Sequence, residues 1–353
     1  MNILGGESVH RRTLLRGLGA AAIGVPAASL AGAGRAFAAE SAETYHIALT
    51  EQGKNQVLIH ARDKVWTPAN EIWRWTPPVA IDEDGVNTWT NLADIRFRNT
   101  SAYGWIALVA AGYGKAGIIN FGNDDTLLWS ARPYGNPHAI EHIPHLGVTV
   151  VASSTASSRI TWPGFLTVYA PTDVGDLSTL TRVQEIRFQD AHGLWYDGTY
   201  LWVLGKWAIA RYRITGNHLD ARLVEDWSEQ FAEAIYGHSL DTDYSDPDYL
   251  LYSKTGAVKR IHKATKKISD WTPSAGGIKS YARVASGSSF WVQGKNVSKA
   301  HPWTSPYVEF FDSSGAVDKS GAGGADNLGR KGLVGYGYEA EFYRARVSST
   351  DLS

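Results

Sequence analysis

Short apolar runs alternate with turn residues along nearly the whole chain after residue 45. Runs such as VTVVASS, FLTVYAP, YLWVLG and YLLYSKT are rich in β-branched and aromatic residues, and Gly, Pro, Asp and Asn gather between them. Runs of this length between turn signals are typical of β-strands. The pattern predicts an all-β protein, with a helical pattern only in EDWSEQFAEAIYG at residues 225–237.

The runs recur in groups of four, which we label strands A to D. The clearest group begins at Ala191 and reads HGLWYD, YLWVLG, AIARYRI and RLVEDW. The group before it reads HAIEHIP, VTVVASS, FLTVYAP and RVQEIRF, and the group after it reads HSLDTDY, YLLYSKT, AVKRIHK and KISDWTP. DIRFRN, WIALVAA, AGIINFG and LLWSARP form an earlier group, and YARVAS, FWVQGK and YVEFFD supply three strands of a later one. A recurring four-strand unit is typical of a β-propeller.

The first unit is incomplete at the start of the repeat region. HIALTEQ, QVLIHAR and EIWRWTP correspond to strands B, C and D, and YEAEFYRARV near the C-terminus supplies the missing strand A. The repeat period is then roughly 43 to 57 residues, as in propeller blades. We predict a propeller of six four-stranded blades, closed into a ring by the C-terminal strand. A seventh blade would have to lie in the Gly-rich segment Ser313–Gly332.

The N-terminal segment has the features of an export signal. Arg11 and Arg12 precede a stretch rich in Gly and Ala, which ends in the small-residue motif AFA-A. This pattern predicts a twin-arginine signal peptide over residues 1–38, removed near Ala38, and a secreted single propeller domain over residues 39–353. The apolar stretch is short for a membrane span, so we expect no membrane association.

Composition narrows the choice of partner. The predicted signal carries four arginines and one glutamate, so its removal changes the formal charge from −1 to −4. That balance favours no nucleic-acid partner. The chain has no cysteine, so we expect neither disulfides nor thiolate metal ligands. A mature chain of this length can bury a core large enough for a stable monomer.

Histidines recur at the start of strand A in three consecutive blades. His138, His192 and His238 are 54 and 46 residues apart, but strand A lines the axis of a propeller, so the fold should bring them to one mouth of the channel. His142 and His145 have no counterpart in other blades, and we interpret them as structural. Isolated histidines at strand starts usually serve neighbouring backbone groups. Their recurrence in register favours a site.

The B–C loops lie at the same mouth and carry a second pattern. Each contains one basic residue: Lys54, Lys115, Arg159, Lys206, Lys254 and Lys295. We expect a ring of cations that attracts an anion, although loop lysines are usually solvated surface residues. Trp162 and Trp207 share two of these loops and could stack on a sugar, and Tyr281 and Arg283 of strand A complete the predicted binding set.

Cations, imidazoles and aromatic side chains together suit a carboxylated sugar. Neutralising a uronate carboxylate makes the proton at C5 removable by a general base, and β-elimination then cleaves the bond to C4. In this hypothesis His138 or His192 is the base, and the acid is the other histidine, Tyr113 or Tyr281. Arg159 and Lys206 neutralise the carboxylate, flanked by Trp162 and Trp207.

Three other interpretations stay open. A glycoside hydrolase requires two carboxyl groups at about 5 to 9.5 Å. Glu141 and Asp241 follow the shared histidine position in two blades, but Arg96 and Arg283 hold that position in two others, which favours a polar channel. His138, His192 and His238 could instead bind a divalent metal, although elimination itself requires no cofactor. The propeller could also bind a glycan without catalysis.

The segments NPHAIEHIP, VTVVASS, DAHGLWYDGTYLWVLG and GHSLD resemble a family of secreted bacterial and fungal propellers, much of it of unknown function. That family has NPH-S-x-E-x-LP, AHG-x-x-WD and GHD stretches and is similar to propeller polysaccharide lyases. Among these are enzymes that remove a rhamnose cap from glucuronate on arabinogalactan. The resemblance implies a lyase acting on an acidic poly- or oligosaccharide, with His138, His192 and His238 in its site. Ala139, Ser239 and Leu240 depart from the family pattern, as do six blades where seven are expected.

Overall fold

The computed structural model describes residues 45–154, 164–272 and 275–348, and these residues form six antiparallel sheets of four strands each. Every sheet is one blade, and in all but the first the strands are hydrogen-bonded in chain order from the axis outward. The predicted fold class, an all-β propeller of six four-stranded blades, is confirmed.

Each blade takes its strands from one stretch of the chain, except the first. Strands of the first three blades are β1 (His46–Glu51), β2 (Gln56–Ala61), β3 (Glu71–Trp75), β4 (Leu92–Thr100), β5 (Gly104–Ala111), β6 (Lys115–Ile119), β7 (Leu127–Ala131), β8 (Asn136–Ile143), β9 (Val148–Ser154), β10 (Phe165–Ala170) and β11 (Thr181–Arg187). Strands of the other blades are β12 (Gly193–Tyr196), β13 (Tyr200–Leu204), β14 (Ala208–Thr215), β15 (Arg222–Gln230), β16 (Ser239–Thr242), β17 (Tyr249–Lys254), β18 (Ala257–His262), β19 (Ile268–Asp270), β20 (Ile278–Arg283), β21 (Ser289–Gln293), β22 (Val308–Phe311) and β23 (Arg330–Lys331). The last strand in the chain is β24 (Phe342–Val347).

Strand β24 closes the ring, as the sequence predicts. It pairs antiparallel with β1, with Ile47 opposite Val347 and Leu49 opposite Ala345. The inner strands β4, β8, β12, β16, β20 and β24 each contact the inner strand of the next blade, so they surround one central axis. Residues at the start of these strands therefore lie at one mouth of the channel, and residues at their ends lie at the other.

Burial falls from the inner strands to the outer ones. All seven residues of β9 are buried, because both of its faces pack against neighbouring blades. In β11, the outer strand of the same blade, no residue is buried. This gradient explains why second strands have continuous apolar runs, whereas outer strands alternate with charged residues.

One expectation was wrong, and the alternative of a seventh blade is not found among the described residues. Residues 225–237 form no helix, because β15 continues through Gln230 and pairs with β14 along its length. The Gly-rich segment Ser313–Gly332 holds no further blade: it connects β22 to the two-residue outer strand β23. Short 3-10 turns occur at Pro68–Asn70, Leu177–Thr179 and Ala322–Gly324. Among the described residues, no helix is long and apolar enough to cross a membrane.

Candidate functional site

Three histidines meet at one mouth of the channel, and this prediction is confirmed. His138 lies near the start of β8, and His192 and His238 immediately precede β12 and β16. The rings of His138 and His192 stack with centroids 4.1 Å apart, and His192 meets His238 edge to face at 5.6 Å. The blade repeat therefore joins residues that are far apart in the sequence.

The main chain fixes two of these histidines in equivalent ways. The backbone N–H of His192 donates to Leu204 O, and that of His238 donates to Ser253 O, both at 2.9 Å. In each case the partner lies near the end of the second strand of the blade, so the hydrogen bond extends the pairing of strands A and B beyond the sheet. This local geometry turns both imidazoles toward the axis.

Each imidazole has a different polar environment. Nδ1 of His192 lies 2.8 Å from Asp190 O, which assigns the proton to Nδ1 and leaves Nε2 as an acceptor. Nδ1 of His138 lies 3.5 Å from the Tyr343 hydroxyl. Nδ1 of His238 is buried without a hydrogen-bond partner among the described residues. The three rings can therefore play different chemical roles.

All three imidazoles favour the neutral form. Burial lowers the pKa of His138 and of His238 well below the ordinary value, and nearby positive groups lower both further. Burial also lowers the pKa of His192 to about 4, against the opposing effect of Asp190. A neutral imidazole has a lone pair, which a general base requires, but at His238 Nε2 already faces the Lys279 ammonium.

Lys279 supplies a cation to this mouth that was not predicted from the sequence. It lies in β20, and its Nζ is 3.1 Å from Nε2 of His238. Burial lowers its pKa to about 8, and the charge of Arg344 contributes. No carboxylate of the described residues forms an ion pair with it. A half-buried ammonium without a counter-ion is a binding point for an anion.

Lys279 could have been predicted from the correct register of the sixth blade. The predicted strand A begins at Tyr281, whereas β20 begins at Ile278. With the correct register, Lys279 takes the place that His138, His192 and His238 take in their blades. The first blade supplies Tyr343 and Arg344 from β24 to the same mouth.

Arg344 ties the mouth together from below. Its guanidinium donates to the carbonyl oxygens of His138 at 2.9 Å and of His238 at 2.7 Å. It also lies 3.1 Å from Asp94. A single buried arginine from the closing strand therefore positions two of the three histidines.

A cavity of about 470 Å³ opens beside this cluster. Its described lining comprises Gln52, Asn91, Ala93, Gly112, Tyr113, Asn136, His138, Lys279, Trp303 and Tyr343. The Trp303 indole N–H donates to Gln52 Oε1 at 2.8 Å, which holds the partly exposed indole on the wall. The described lining contains a lysine and a histidine but no carboxylate, so the cavity favours anions with a face that can stack on an aromatic ring.

The described lysines of the predicted B–C loop ring do not converge on the axis. Lys115 Nζ lies 3.5 Å from Ser130 on the outer strand of its blade, and Lys295 pairs with Glu309 at 3.0 Å. The pKa of Asp270 is lowered mainly by a hydrogen bond from Lys259, and the charge of Lys254 lowers it further. Lys254 therefore lies near Asp270 on the outer strand of its blade.

The two other described loop lysines differ in position: Lys54 lies near Tyr338, and Lys206 lies near the histidine cluster. Lys54 Nζ is 5.3 Å from the Tyr338 ring. Lys206 Nζ is 4.0 Å from Asp190, whose carbonyl oxygen bonds His192, so Lys206 alone of these described lysines borders the histidine cluster. The prediction of a converging ring was wrong because side chains alternate along a strand, and a shared loop position does not give a shared direction.

The other predicted binding residues lie away from this mouth. Trp207 lines a groove of about 210 Å³ with Arg187 and Phe188. Tyr281 is buried and accepts a hydrogen bond from the Trp271 indole at 3.0 Å. Arg283, at the other end of β20, pairs with Asp243 at 3.2 Å. Arg159 and Trp162 lie outside the described residues.

Buried ion pairs fill the channel between its two mouths. Arg98 donates twice to Glu141, at 2.8 and 2.6 Å. Arg346 bridges Asp241 at 2.6 Å and Asp94 at 2.9 Å. Glu141 and Asp241 are thus held by arginines, as in the polar channel that the alternation of acid and base indicated, and neither faces the cavity beside the histidines.

The geometry gives a metal ion no ready place among the histidines. Face-to-face stacking directs the nitrogens of His138 and His192 along parallel lines, whereas ligands of one ion converge on a point. Nε2 of His238 already faces the Lys279 ammonium. The described residues contain no group of three or more His, Cys, Asp or Glu side chains suited to holding a metal.

His142 and His145 lie away from the cluster, as interpreted from the sequence. Nδ1 of His142 is 3.0 Å from the Thr149 hydroxyl within the same blade. His145 lies in the turn between β8 and β9 and stacks with Tyr196 at 6.0 Å. Both therefore have structural surroundings.

No family model and no curated protein matches the chain. Solved structures do match its fold. A functionally unknown protein from Desulfotomaculum acetoxidans DSM 771 aligns at a TM-score of 0.50 with 10% identity, over 78% of each chain. A protein from Lactobacillus plantarum aligns at a TM-score of 0.51 with 11% identity, over 87% of this chain and 100% of that one. At such identities the likeness supports the propeller fold alone.

Proposed function

We propose that the protein is a secreted carbohydrate-active lyase that binds a uronic acid of an acidic glycan in the cavity beside the histidines and cleaves the glycan by β-elimination. The observation that carries this proposal is the Lys279 ammonium, set among three imidazoles next to a cavity whose described lining has no carboxylate. A carboxylated sugar provides the anion that this cation lacks.

In the proposed mechanism Lys279 pairs with the uronate carboxylate and withdraws charge from it. This lowers the cost of forming negative charge at C5 when the proton there is removed. Arg344 adds its positive field from below but remains hydrogen-bonded to the carbonyls of His138 and His238. Lys279 thus takes the role that the sequence analysis gave to Arg159 and Lys206.

We assign the base to His138, because it is the cluster histidine on the described cavity wall. Its neutral imidazole takes the proton from C5, the electron pair forms the C4–C5 double bond, and the bond from C4 to the leaving oxygen breaks. Tyr343 also lines the cavity, and its hydroxyl lies 3.5 Å from Nδ1 of His138. Tyr343 can therefore protonate the leaving oxygen and recover its proton from His138.

The aromatic part of the cavity wall suits a sugar ring. Trp303 and Tyr113 both line the cavity, with exposed fractions of 37% and 51%. Aromatic faces of this kind stack on the apolar face of a pyranose, while Asn91 and Asn136 offer amide groups for hydroxyls. This arrangement supports an acidic glycan as the ligand, and the uronate of an arabinogalactan is one candidate.

A glycoside hydrolase fits these residues less well. The mechanism needs two carboxyl groups beside the scissile bond. Glu141 and Asp241, the carboxylates considered from the sequence, are held by Arg98 and Arg346 inside the channel. A binding protein without catalysis would use the same cavity, and the experiment below separates it from a lyase.

The test is ultraviolet absorbance of the conjugated double bond that only elimination produces. The purified protein would be incubated with uronate-bearing gums, pectins and glycosaminoglycans, with and without a chelator. We expect absorbance to rise on at least one polymer, and to be lost in Lys279→Met and His138→Ala. Lys115→Met is the matched control, because its ammonium faces Ser130 and not the cavity.

Three outcomes would contradict the proposal. Binding of an acidic glycan with no rise in absorbance would favour the binding protein, and release of reducing sugar without the rise would favour hydrolysis. A rise that survives in Lys279→Met would remove the assigned cation. Loss of the rise in chelator, restored by a divalent metal, would add a metal to the reaction.

A further inference from the structure

A second cavity opens at the opposite mouth of the channel. Its volume is about 530 Å³, and its described lining lies at or beyond the far ends of inner strands. Along β12, for example, Trp195 and Tyr196 line this cavity, whereas His192 precedes the strand at the other mouth. The buried ion pairs of the channel separate the two cavities.

The described lining of this second cavity holds four cations and two carboxylates. The cations are Arg96, Arg98, Arg346 and Lys263, and the carboxylates are Asp197 and Asp241. Asp94 and Glu141 pair with these arginines from within the channel. Asp197 already accepts from the Trp202 indole and from two backbone N–H groups.

Two arginines on this wall have unused donors. Arg96 and Arg346 are each only 3% exposed. Nε and Nη1 of Arg96 and Nη2 of Arg346 have no hydrogen-bond partner among the described residues. The carboxylates around Arg96 stand 3.7 to 4.0 Å away, beyond hydrogen-bond distance. Buried guanidinium donors without partners are costly, and an entering anion would satisfy them.

The rest of the wall is aromatic. Phe97, Trp105, Trp195 and Tyr244 all line the cavity. The guanidinium carbons of Arg96 and Arg98 lie 5.0 and 4.7 Å from the Trp195 ring. Cation and ring thus form one surface, which matches a ligand that joins an anionic group to a ring or apolar face.

We propose that this opposite mouth is a second binding site for an anionic sugar such as a free uronic acid. Its carboxylate lies toward Arg96 and Arg346, its ring lies against Trp105 and Trp195, and Lys263 holds the rim. The described lining holds more cations than carboxylates, which favours an anionic ligand. This site rests on residues that the proposed catalysis does not use, so either proposal can fail alone.

The test is calorimetric titration of sodium glucuronate into variants of the full chain. In Lys279→Met, which removes the cation of the first mouth, we expect one glucuronate still to bind. Adding Lys263→Glu should weaken this remaining binding by about tenfold, because it reverses a charge beside the ligand. Adding the exposed Lys319→Glu to Lys279→Met is the matched control and should change little.

Several results would overturn the second site. Complete loss of glucuronate binding in Lys279→Met would leave one site, at the first mouth. Equal effects of Lys263→Glu and Lys319→Glu would remove the rim lysine from the interaction. Glucose that binds as tightly as glucuronate would show that the carboxylate is not recognised. A different result separates the two proposals. If none of the polymers yields unsaturated product, the lyase proposal fails and the second site is unaffected.

Discussion

At the scale of single residues, Lys279 decides the chemistry of the first mouth. A lysine surrounded by imidazoles and an arginine is held in an electropositive, partly dehydrated place, which favours its neutral form. An anionic ligand reverses that preference, since it stabilises the ammonium. Binding of an acidic sugar and protonation of Lys279 should therefore be linked.

This linkage predicts the pH dependence of turnover. The pKa of Lys279 is lowered to about 8, so the free protein keeps the ammonium below that pH and loses it as pH rises through it. The pKa of His138 is lowered well below its ordinary value, so this base stays neutral through the range in which a solvated histidine takes up its proton. We expect kcat/KM for unsaturated product to hold through neutral pH and to fall above pH of about 8.

Lys279→Arg tests which group causes the alkaline fall. Arginine stays protonated at any pH at which the protein is folded, so the fall should move to higher pH even if the rate is lower. A fall that stays near the same pH in Lys279→Arg would assign it to another group. A merely structural role for Lys279 would change the rate without moving the profile.

At the scale of elements, the connections into the inner strands set the site. Gly135 leads into β8, with φ +83°, and a Cβ built there would lie 2.4 Å from the carbonyl oxygen of Ser154. Both the left-handed backbone and this close approach require glycine. The position of Asn136 and His138 depends on that turn.

Gly135→Ala should therefore destabilise the fold by more than the backbone penalty alone. Gly122 has a similar φ, +75°, and open space around its Cβ position. It reports the left-handed penalty by itself, about 1 to 2 kcal/mol in Gly122→Ala. We expect Gly135→Ala to cost about 1 to 3 kcal/mol more, because the backbone must shift. The free energy of unfolding in denaturant measures both, and equal losses would contradict the role of the contact.

Elements were also the level at which the sequence was most informative. Apolar runs separated by turn residues predict strand pairs such as β13 and β14, because a blade buries its second strand on both faces. The two-residue strand β23 escaped prediction because its pairing with β22 depends on tertiary contacts and not on an apolar run. The charged and apolar residues of segment 225–237 are spaced in a way that fits both a helix and a strand. Pairing with β14 makes its first part, up to Gln230, a strand.

The candidate site was only half accessible from the sequence. Recurrence places His138, His192 and His238 at one mouth, because a repeat fixes the position along the axis. It does not fix the direction of a side chain, so the loop lysines Lys115 and Lys295 were assigned to the wrong place. Lys279 was not predicted, because the apolar residues of its blade placed the start of strand A at Tyr281, whereas β20 begins at Ile278.

At the scale of the whole molecule, the ring depends on one strand that comes from the far end of the chain. β24 covers the edge of β1 and packs against β20 and β4. It also brings Arg344 and Arg346, which bond the inner strands of other blades from within the channel. The strand that closes the ring therefore also supplies two arginines of the channel.

A chain that ends at Gly337 tests this coupling, since it lacks β24 and both arginines. Its edge at β1 would be unpaired and its channel would hold carboxylates without their partners, so we expect aggregation and loss of cooperative unfolding. A chain that ends at Ser348 keeps β24 and is the control. A synthetic peptide of residues 338–348, added in trans, should restore a cooperative melting transition and glucuronate binding together. A shortened monomer that melts like the full chain would show that the other five blades and the three remaining strands of the first hold the ring without its closing strand.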